Sequence, residues 1–538
     1  MAHARARSAL APWRRALAAS MAVLTLLPAT AQVRLPSLGE TASQDLSIGT
    51  ERRLGDSIMR EARRDPVFLD DPVLLEYVQS LWNPLVAAAR QVGNIDADTD
   101  TAFAWEAFLV RDRSVNAFAL PGGFVGMHLG LIAITQTPDQ LASVLAHELS
   151  HVTQRHIARS IAPQERASLL SIATLLLGII AASRTNNVDV ANATIMGGQG
   201  AAIQSQLNFS RDMEREADRV GYGLLGVAGF SPAGMAGMFD RMDIATRLND
   251  SGGYPYLRTH PLTVDRISEA RNRTLLADVK PSVPTLLHSM MQMRARVLMD
   301  TSTQGLQRLT GATSSPALGD RIAALYGGSL GASLLNDHAR AERQVALALQ
   351  LAATAQPREP RVERALRTLQ AQVLLAAGDA AGALQSLDRI DPPDAQRPTL
   401  LLRAQAALAL RSSDAAAATA ALAASNEQLQ VWVAEHGQDA AAWEVLAATF
   451  EARGFKLRSM RAGAEARFAL GDLNGAIDRL RAAQGLSRTP AGQDFIEASV
   501  IDSRLRTISN QRRQLIAEMR GDRGPDRGDD TQRGGDRP

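Results

Sequence analysis

Cysteine is absent from all 538 residues. Disulfide cross-links and thiolate metal ligands are thereby excluded, and any bound metal must sit on His, Asp or Glu. Lipid attachment through an N-terminal cysteine is excluded for the same reason. Aromatic residues are scarce, at 4%, and the formal net charge is only +2. With no basic stretch interleaved with aromatics, the sequence gives no support for a nucleic-acid partner. Long uncharged runs are also few. Residues 16–28 and 168–183 are the most apolar segments. Both fall short of the roughly 20 residues that span a bilayer comfortably.

What the chain has in plenty is alanine. Hydrophobic residues make up 46% and charged residues 21%, the balance of a globular chain long enough for more than one core. Alanine is the best helix former, so the expected fold is mainly α. The opening stretch reads as an export signal. Arg5, Arg7, Arg14 and Arg15 precede an apolar run, and Ala29 and Ala31 form a small-residue cleavage motif before Gln32. Residues 1–31 are therefore expected to be a signal peptide. The bacterial periplasm is the simplest destination, with peripheral membrane contact left open. For residues 168–183 three readings stand: a buried core helix, a helix that touches membrane, and part of a span. The Asn- and Gly-rich residues that follow read as a mobile loop.

Helical patterns run through "DLSIGTERRLGDSIMREARR" and "DPVLLEYVQSLWNPLVAAARQV", the second opened by Asp71 as cap and Pro72 in the first turn. "TAFAWEAFLVRD" reads as a strand. "SVNAFALPGGFVGMHLGLI" reads as strand, turn, strand, with Pro121, Gly122 and Gly123 supplying the turn. Beyond residue 300, "SSPALGD" and "YGGSLGASLLND" are interrupted by glycine and serine, which suggests a transition over 301–335. Helix pairs follow. "ALRTLQAQVLLAAGDAAGALQSLDRI" and "SMRAGAEARFALGDLNGAIDRLRAAQ" share a Gly-Asp pair with alanine five residues after the glycine, at Ala383 and Ala476. A third, weaker copy places Asp414 35 residues after Asp379. That spacing is close to the 34-residue tetratricopeptide period. Such units bury their apolar faces by stacking, so residues 336–520 are expected to form an α-solenoid. The glycine, proline and alternating charges of 521–538 leave nothing apolar to bury, and that tail is expected to be disordered.

The chemistry concentrates in "VLAHELSHVTQRH", residues 144–156. His147 and His151 lie four residues apart, on one helical face, where both imidazoles can reach one ion. Glu148 stands beside them, placed to take a proton from water activated by zinc. Leu141, Val144, Leu145, Leu149 and Val152 can seat this helix in a core. A third ligand is needed, and "FSRDMEREADRVG" offers Glu214, Glu216 and Asp218. Spacing alone does not choose among these acids. It implies that one binds metal while another orients a histidine from behind. His260, in "YLRTHPLTVDRI", is extended by Pro261 and reads as a loop residue. It can occupy the open metal position at rest or donate to an oxyanion, and Arg266 is a rival for the second role. His156 falls about half a turn off the His147/His151 face and reads as structural. His128 lies near the second strand with no partner that the sequence identifies.

Four segments together, "NAFALPGG", "HELSHVTQRH", "EREADRVG" and "THPLTVDR", resemble the zinc metallopeptidase family that includes HtpX, the CAAX prenyl protease and a periplasmic BepA-like branch. The resemblance covers about residues 40–275, and the repeats resemble those of the BepA-like branch. It implies a gluzincin-type metallopeptidase domain over 32–300 with a small β element, followed by tetratricopeptide-like repeats. It implies one Zn2+ per chain on His147, His151 and Glu214, with Glu148 as general base and Asp218 as the acid behind a ligand. His260 matches a histidine near the metal. Asn116, Ala117, Phe118, Ala119 and Leu120 match a strand that borders the cleft and can pair with an extended substrate. The residues between 183 and 206 match a mobile region that can cover such a cleft. The implied activity is endopeptidase cleavage of misfolded or stalled outer-membrane proteins in the periplasm, in contact with the barrel-assembly machinery. The alternative is an assembly chaperone or adaptor acting mainly through its repeats, with residual proteolysis.

Overall fold

Asp71 and Pro72 start a helix where the sequence places one. The computed structural model describes residues 46–160, 210–248, 255–276, 279–310, 315–355, 358–390, 395–489 and 494–521. The expected signal segment, the apolar run 168–183, the loop after it and the tail 522–538 lie outside the described residues. Four helices lead in: α1 (Ile48–Ala62), α2 (Pro72–Gln91), α3 (Ala97–Ala102) and, after the sheet, α4 (Leu129–Ile134). The Asp71 carboxylate accepts from the Leu74 N–H at 2.8 Å, satisfying one of the unpaired donors of the first turn.

The sheet holds β1 (Phe68–Leu69), β2 (Glu106–Val110), β3 (Ala117–Leu120) and β4 (Phe124–His128), in the order β1-β2-β4-β3. β1 and β2 are antiparallel, β2 and β4 parallel, and β3 and β4 antiparallel. The β3–β4 turn uses positive φ at Gly122 and Gly123, the left-handed region glycine enters without steric cost. "TAFAWEAFLVRD" divides, so that its first residues close α3 and its centre forms β2.

The site helices follow: α5 (Pro138–Thr153), α6 (His156–Ser160), α7 (Arg211–Val227), α8 (Ala233–Leu248), α9 (Tyr256–Thr259), α10 (Val264–Leu276) and α11 (Leu286–Met299). Beyond them run α12 (Thr303–Thr310), α13 (Leu318–Leu334), α14 (His338–Thr354) and α15 (Pro360–Ala376). The repeat-like helices are α16 (Ala380–Asp388), α17 (Arg397–Leu410), α18 (Ala415–Glu435), α19 (Ala440–Ala452), α20 (Lys456–Ala469), α21 (Leu473–Ser487) and α22 (Phe495–Gly521). The chain is thus mostly helical, with a small mixed sheet near the histidine helix and a long helical repeat-like region. Asp379, Asp414, Asp439 and Asp472 cap α16, α18, α19 and α21, which explains the recurrent Gly-Asp and Asp-Ala signals.

Within the expected transition over 301–335, Thr303–Thr310 and Leu318–Leu334 form α12 and α13, and Gly327, Gly328, Ser329 and Gly331 are buried inside α13. Here the small residues serve close packing rather than chain breaks: a Cβ at Gly327 would meet the Met293 side chain at 2.8 Å. Gly521, expected in the tail, is the last residue of α22. One apolar core is continuous from Leu46 to Val373, so it runs through α13 into α14 and α15. No helix among the described residues is long and apolar enough to cross a membrane.

Candidate metal centre

Thr137 caps α5 through the Gln140 N–H at 3.1 Å, Pro138 fills its first turn and Asp139 complements its dipole. The helix is buried from Gln140 to Val152. Leu141, Val144, Leu145, Leu149 and Val152 anchor it in the main core, as their spacing suggests. His147, Glu148 and His151 are therefore fixed on a rigid, dry element. α7 lies against α5 and contributes Glu214 from its first turn. The approach is close because Gly221 has no side chain: a Cβ there would stand 3.1 Å from the Ala146 carbonyl carbon and 3.2 Å from His147 N. The end of α9 supplies His260, whose N–H donates to the Tyr256 carbonyl at 2.8 Å.

The three elements bring four groups to one point. One ligand-capable atom each from His147, His151, Glu214 and His260 lies within 4.8 Å of all the others, and all four residues are buried. The Nε2 atoms of His147 and His151 are 3.0 Å apart. Glu214 Oε2 is 3.5 Å from His147 Nε2, and Glu214 Oε1 is 3.4 Å from His151 Nε2. His260 Nδ1 is 2.9 Å from Glu214 Oε1 and 3.4 Å from His147 Nε2. Its Nε2 is 3.7 Å from Glu148 Oε1, so the ring stands between the ligand cluster and the candidate base.

A second set of contacts turns the outer edges of these groups away from the centre. His147 Nδ1 lies 2.9 Å from Asp218 Oδ1. Arg266 donates to both Asp218 oxygens at 2.6 and 2.9 Å, to the Pro261 carbonyl at 2.9 Å, and pairs with Glu214 Oε2 at 2.7 Å. His151 Nδ1 faces His156 Nδ1 at 2.9 Å, and His156 Nε2 lies 3.1 Å from Glu216 Oε2.

Burial and charge act against each other across the cluster. Burial pushes the His147 ring down, but Asp218 and Glu214 outweigh it and raise it to about 10. Burial lowers His151 far below the ordinary histidine value. Burial pushes both acids up, and their cationic neighbours outweigh it. His260 and His147 hold the Glu214 carboxyl well below the carboxylate range, while His147 and Arg266 hold Asp218 at about 2. The arrangement concentrates imidazole nitrogens and one carboxylate at a single buried point. Three histidines and a glutamate are the donor set zinc prefers when thiolates are lacking, and the two facing Nε2 atoms share at most one proton. Glu148 completes the fit. It is fully buried, and neither carboxylate oxygen has a hydrogen-bond partner. A carboxylate in that state costs free energy and calls for a hydrogen-bond donor at its oxygens.

The geometry separates the acids that spacing left open. Glu214 faces the cluster, Asp218 stands behind His147, and Glu216 points away to His156 and Arg159. Arg266, the rival oxyanion donor, has Nε, Nη1 and Nη2 engaged with Asp218, Glu214 and Pro261. His156 is outside the four-residue cluster, as its spacing suggests, but it touches a member of it. His128 is buried with Nδ1 2.8 Å from Ser114 Oγ. Ala117, Phe118, Ala119 and Leu120 form β3, an edge strand of the sheet that packs against α5. Asn116 precedes it, and its carbonyl accepts from the His128 N–H at 3.0 Å. The sequence reading missed Tyr256, whose ring stacks on His260 at 4.6 Å between centroids. The i,i+4 spacing of aromatic and histidine in "YLRTH" is the signal that could have found it.

Comparison with known proteins matches the same part of the chain. Residues 78–274 match Peptidase family M48. The putative beta-barrel assembly-enhancing protease of Vibrio cholerae is 42% identical over 257 residues, covering 46% of this chain and 49% of that protein. The beta-barrel assembly-enhancing protease of Escherichia coli K12 is 36% identical over 259 residues, 48% of this chain and 51% of that protein. A mitochondrial metalloendopeptidase of Saccharomyces cerevisiae is 29% identical over 216 residues, 39% of this chain and 59% of its own. The chain thus spans about half the length of the first two relatives.

Proposed function

We propose that this chain, whose residues 78–274 match peptidase family M48, is a periplasmic zinc endopeptidase acting on outer-membrane proteins that fail to assemble. The observation that carries the reading is the convergence of His147, His151, Glu214 and His260 beside the buried carboxylate of Glu148, whose oxygens accept no hydrogen bond. His147, His151 and Glu214 would hold one Zn2+, with His260 as a fourth group. Bound there, zinc supplies Lewis acidity that acidifies water and polarises a carbonyl. Glu148 takes the proton from the attacking water and returns it to the leaving amine. Asp218 fixes the His147 ring from behind, and Arg266 holds Asp218 and Glu214 in place. His260 shields Glu148 in this arrangement, so it is the group that must move to admit a substrate. The edge strand β3, with Asn116 just before it, would pair with an extended substrate backbone.

The substrate class is carried over from relatives named for enhancing β-barrel assembly, with the barrel-assembly machinery as a partner. In this reading residues 1–31 are a signal, 32–300 the peptidase domain, 301–335 its junction, 336–520 tetratricopeptide-like repeats that bind the client, and 521–538 a tail. The test is cleavage of an unfolded outer-membrane barrel protein by residues 32–538. Cleavage should fall about 10²–10⁴-fold in Glu148→Gln and disappear on chelation, returning with added zinc. Glu148→Gln should still bind zinc. If that variant fully restores outer-membrane protein assembly in cells lacking the wild-type chain, the repeats act as a chaperone and the peptidase reading is wrong.

A further inference from the structure

His156 does not belong to the four-residue cluster, yet it is fully buried against His151. Had α5 continued past Thr153, a residue five positions after His151 would face about 140° away from it. The chain instead turns at Arg155, a non-glycine residue at φ 52°. That turn is held from outside: Arg155 Nε donates to the buried Glu51 carboxylate at 3.0 Å, and its guanidinium also reaches the Leu46 carbonyl. The left-handed residue swings His156 back beneath His151. Backbone conformations of this kind persist where the surroundings enforce them, commonly at functional sites.

Proton counting gives the contact a direction. The His151 and His156 Nδ1 atoms are 2.9 Å apart and cannot both carry a proton. His151 Nε2 points into the cluster, so a bare lone pair there requires its proton on Nδ1. His156 Nδ1 is then the acceptor, and the His156 proton sits on Nε2, facing Glu216 Oε2 at 3.1 Å. Arg159 Nη1 holds that same oxygen at 3.2 Å. We infer that His156 is a positioning residue for the metal centre, accepting from His151 Nδ1 and so fixing the ring and tautomer that leave Nε2 free for the ion. Ligand histidines generally need such an acceptor, and here a second imidazole fills the part backed by Glu216. The inference rests on the zinc reading of the site.

Asparagine and glutamine divide the two ends of His156. The Asn amide oxygen falls near Nδ1 and keeps an acceptor for His151, whereas the Gln amide falls near Nε2 and keeps only the Glu216 side. Zinc affinity, by competition with a chromophoric chelator, and the d–d absorption of the Co2+-substituted protein are the readouts. Far-UV circular dichroism checks each fold. His156→Gln and His156→Leu should lose about 10–100-fold in zinc affinity and shift the cobalt bands, with His156→Asn staying near wild type. A Gln variant that keeps wild-type affinity and bands while Asn loses them would assign His156 to Glu216 alone and overturn the inference. So would three variants indistinguishable from wild type. Should Leu fail to fold, the two amides still decide. A wild-type chain that binds neither zinc nor cobalt instead sinks the zinc reading, and the inference with it.

Discussion

Arg266 compensates two buried carboxylates at once. Its guanidinium touches Asp218 and Glu214, and all three residues are buried. In water each of these charges would be solvated. Inside the core each depends on the others, and burial alone would push both acids toward protonation. Removing the arginine therefore leaves two carboxylates with less positive charge than they need. Arg266→Gln is expected to destabilise the zinc-free protein by about 3–5 kcal/mol, a fall of roughly 10 °C in thermal unfolding. Zinc on Glu214 replaces part of the missing cation, so the loss should shrink when the metal is added. Calorimetric melting with and without zinc checks both statements. An equal loss in the two states would mean that Arg266 serves packing rather than charge.

At the scale of elements, the site depends on how closely α7 approaches α5. Gly221 sits against the backbone of Ala146 and His147, while nothing lies within 4 Å of a Cβ at Gly223, two residues along the same helix. The two positions predict opposite signs. Gly223→Ala should stabilise by up to about 1 kcal/mol through helix propensity. Gly221→Val should cost about 1–3 kcal/mol by overpacking and, by shifting α7, also weaken zinc binding. Denaturant melts and a zinc titration of both variants make the comparison, and parallel behaviour would rule out the close approach as the cause. This packing shows where the sequence is legible. Caps, the four-residue histidine spacing and the Pro-Gly-Gly turn are local, and local signals survive in one sequence. The turn at Arg155 is not local: its conformation is fixed by Glu51, a hundred residues upstream, with no glycine or asparagine to announce it. Glycines in α13 mislead for a related reason. They look like breaks until Met293 packs against Gly327, Gln344 against Gly328 and Thr310 against Gly331. Spacing left Glu214 as one of three acids and the family resemblance singled it out; in the fold the acids differ by which face of α7 meets α5.

For the molecule as a whole, the start of α2 ties the region that carries the metal centre to the helices that follow it. Asp71 caps α2 and also takes both prongs of Arg294, at 2.7 and 2.8 Å. Arg294 further donates to Tyr326 of α13 at 3.0 Å and to Gln372 of α15 at 3.3 Å. Glu76 pairs with Arg364 of α15, and Asp70 pairs with Arg397, which also holds Asp439. Three acids of one short stretch are thus each met by an arginine from later in the chain, over a core that continues to Val373. Asp71→Ala removes a cap worth about 1 kcal/mol and orphans a buried guanidinium, for a combined cost of about 4–6 kcal/mol. If α2, α13 and α15 open as one cooperative unit, hydrogen exchange should show all three losing the same protection in the variant. α22 should be unchanged, because Ile501 and Ile508 belong to a separate apolar cluster with Leu457, Ile477 and Leu480. Loss confined to α2, with α15 still protected, would show that α15 opens independently and that the arginines only decorate the contact.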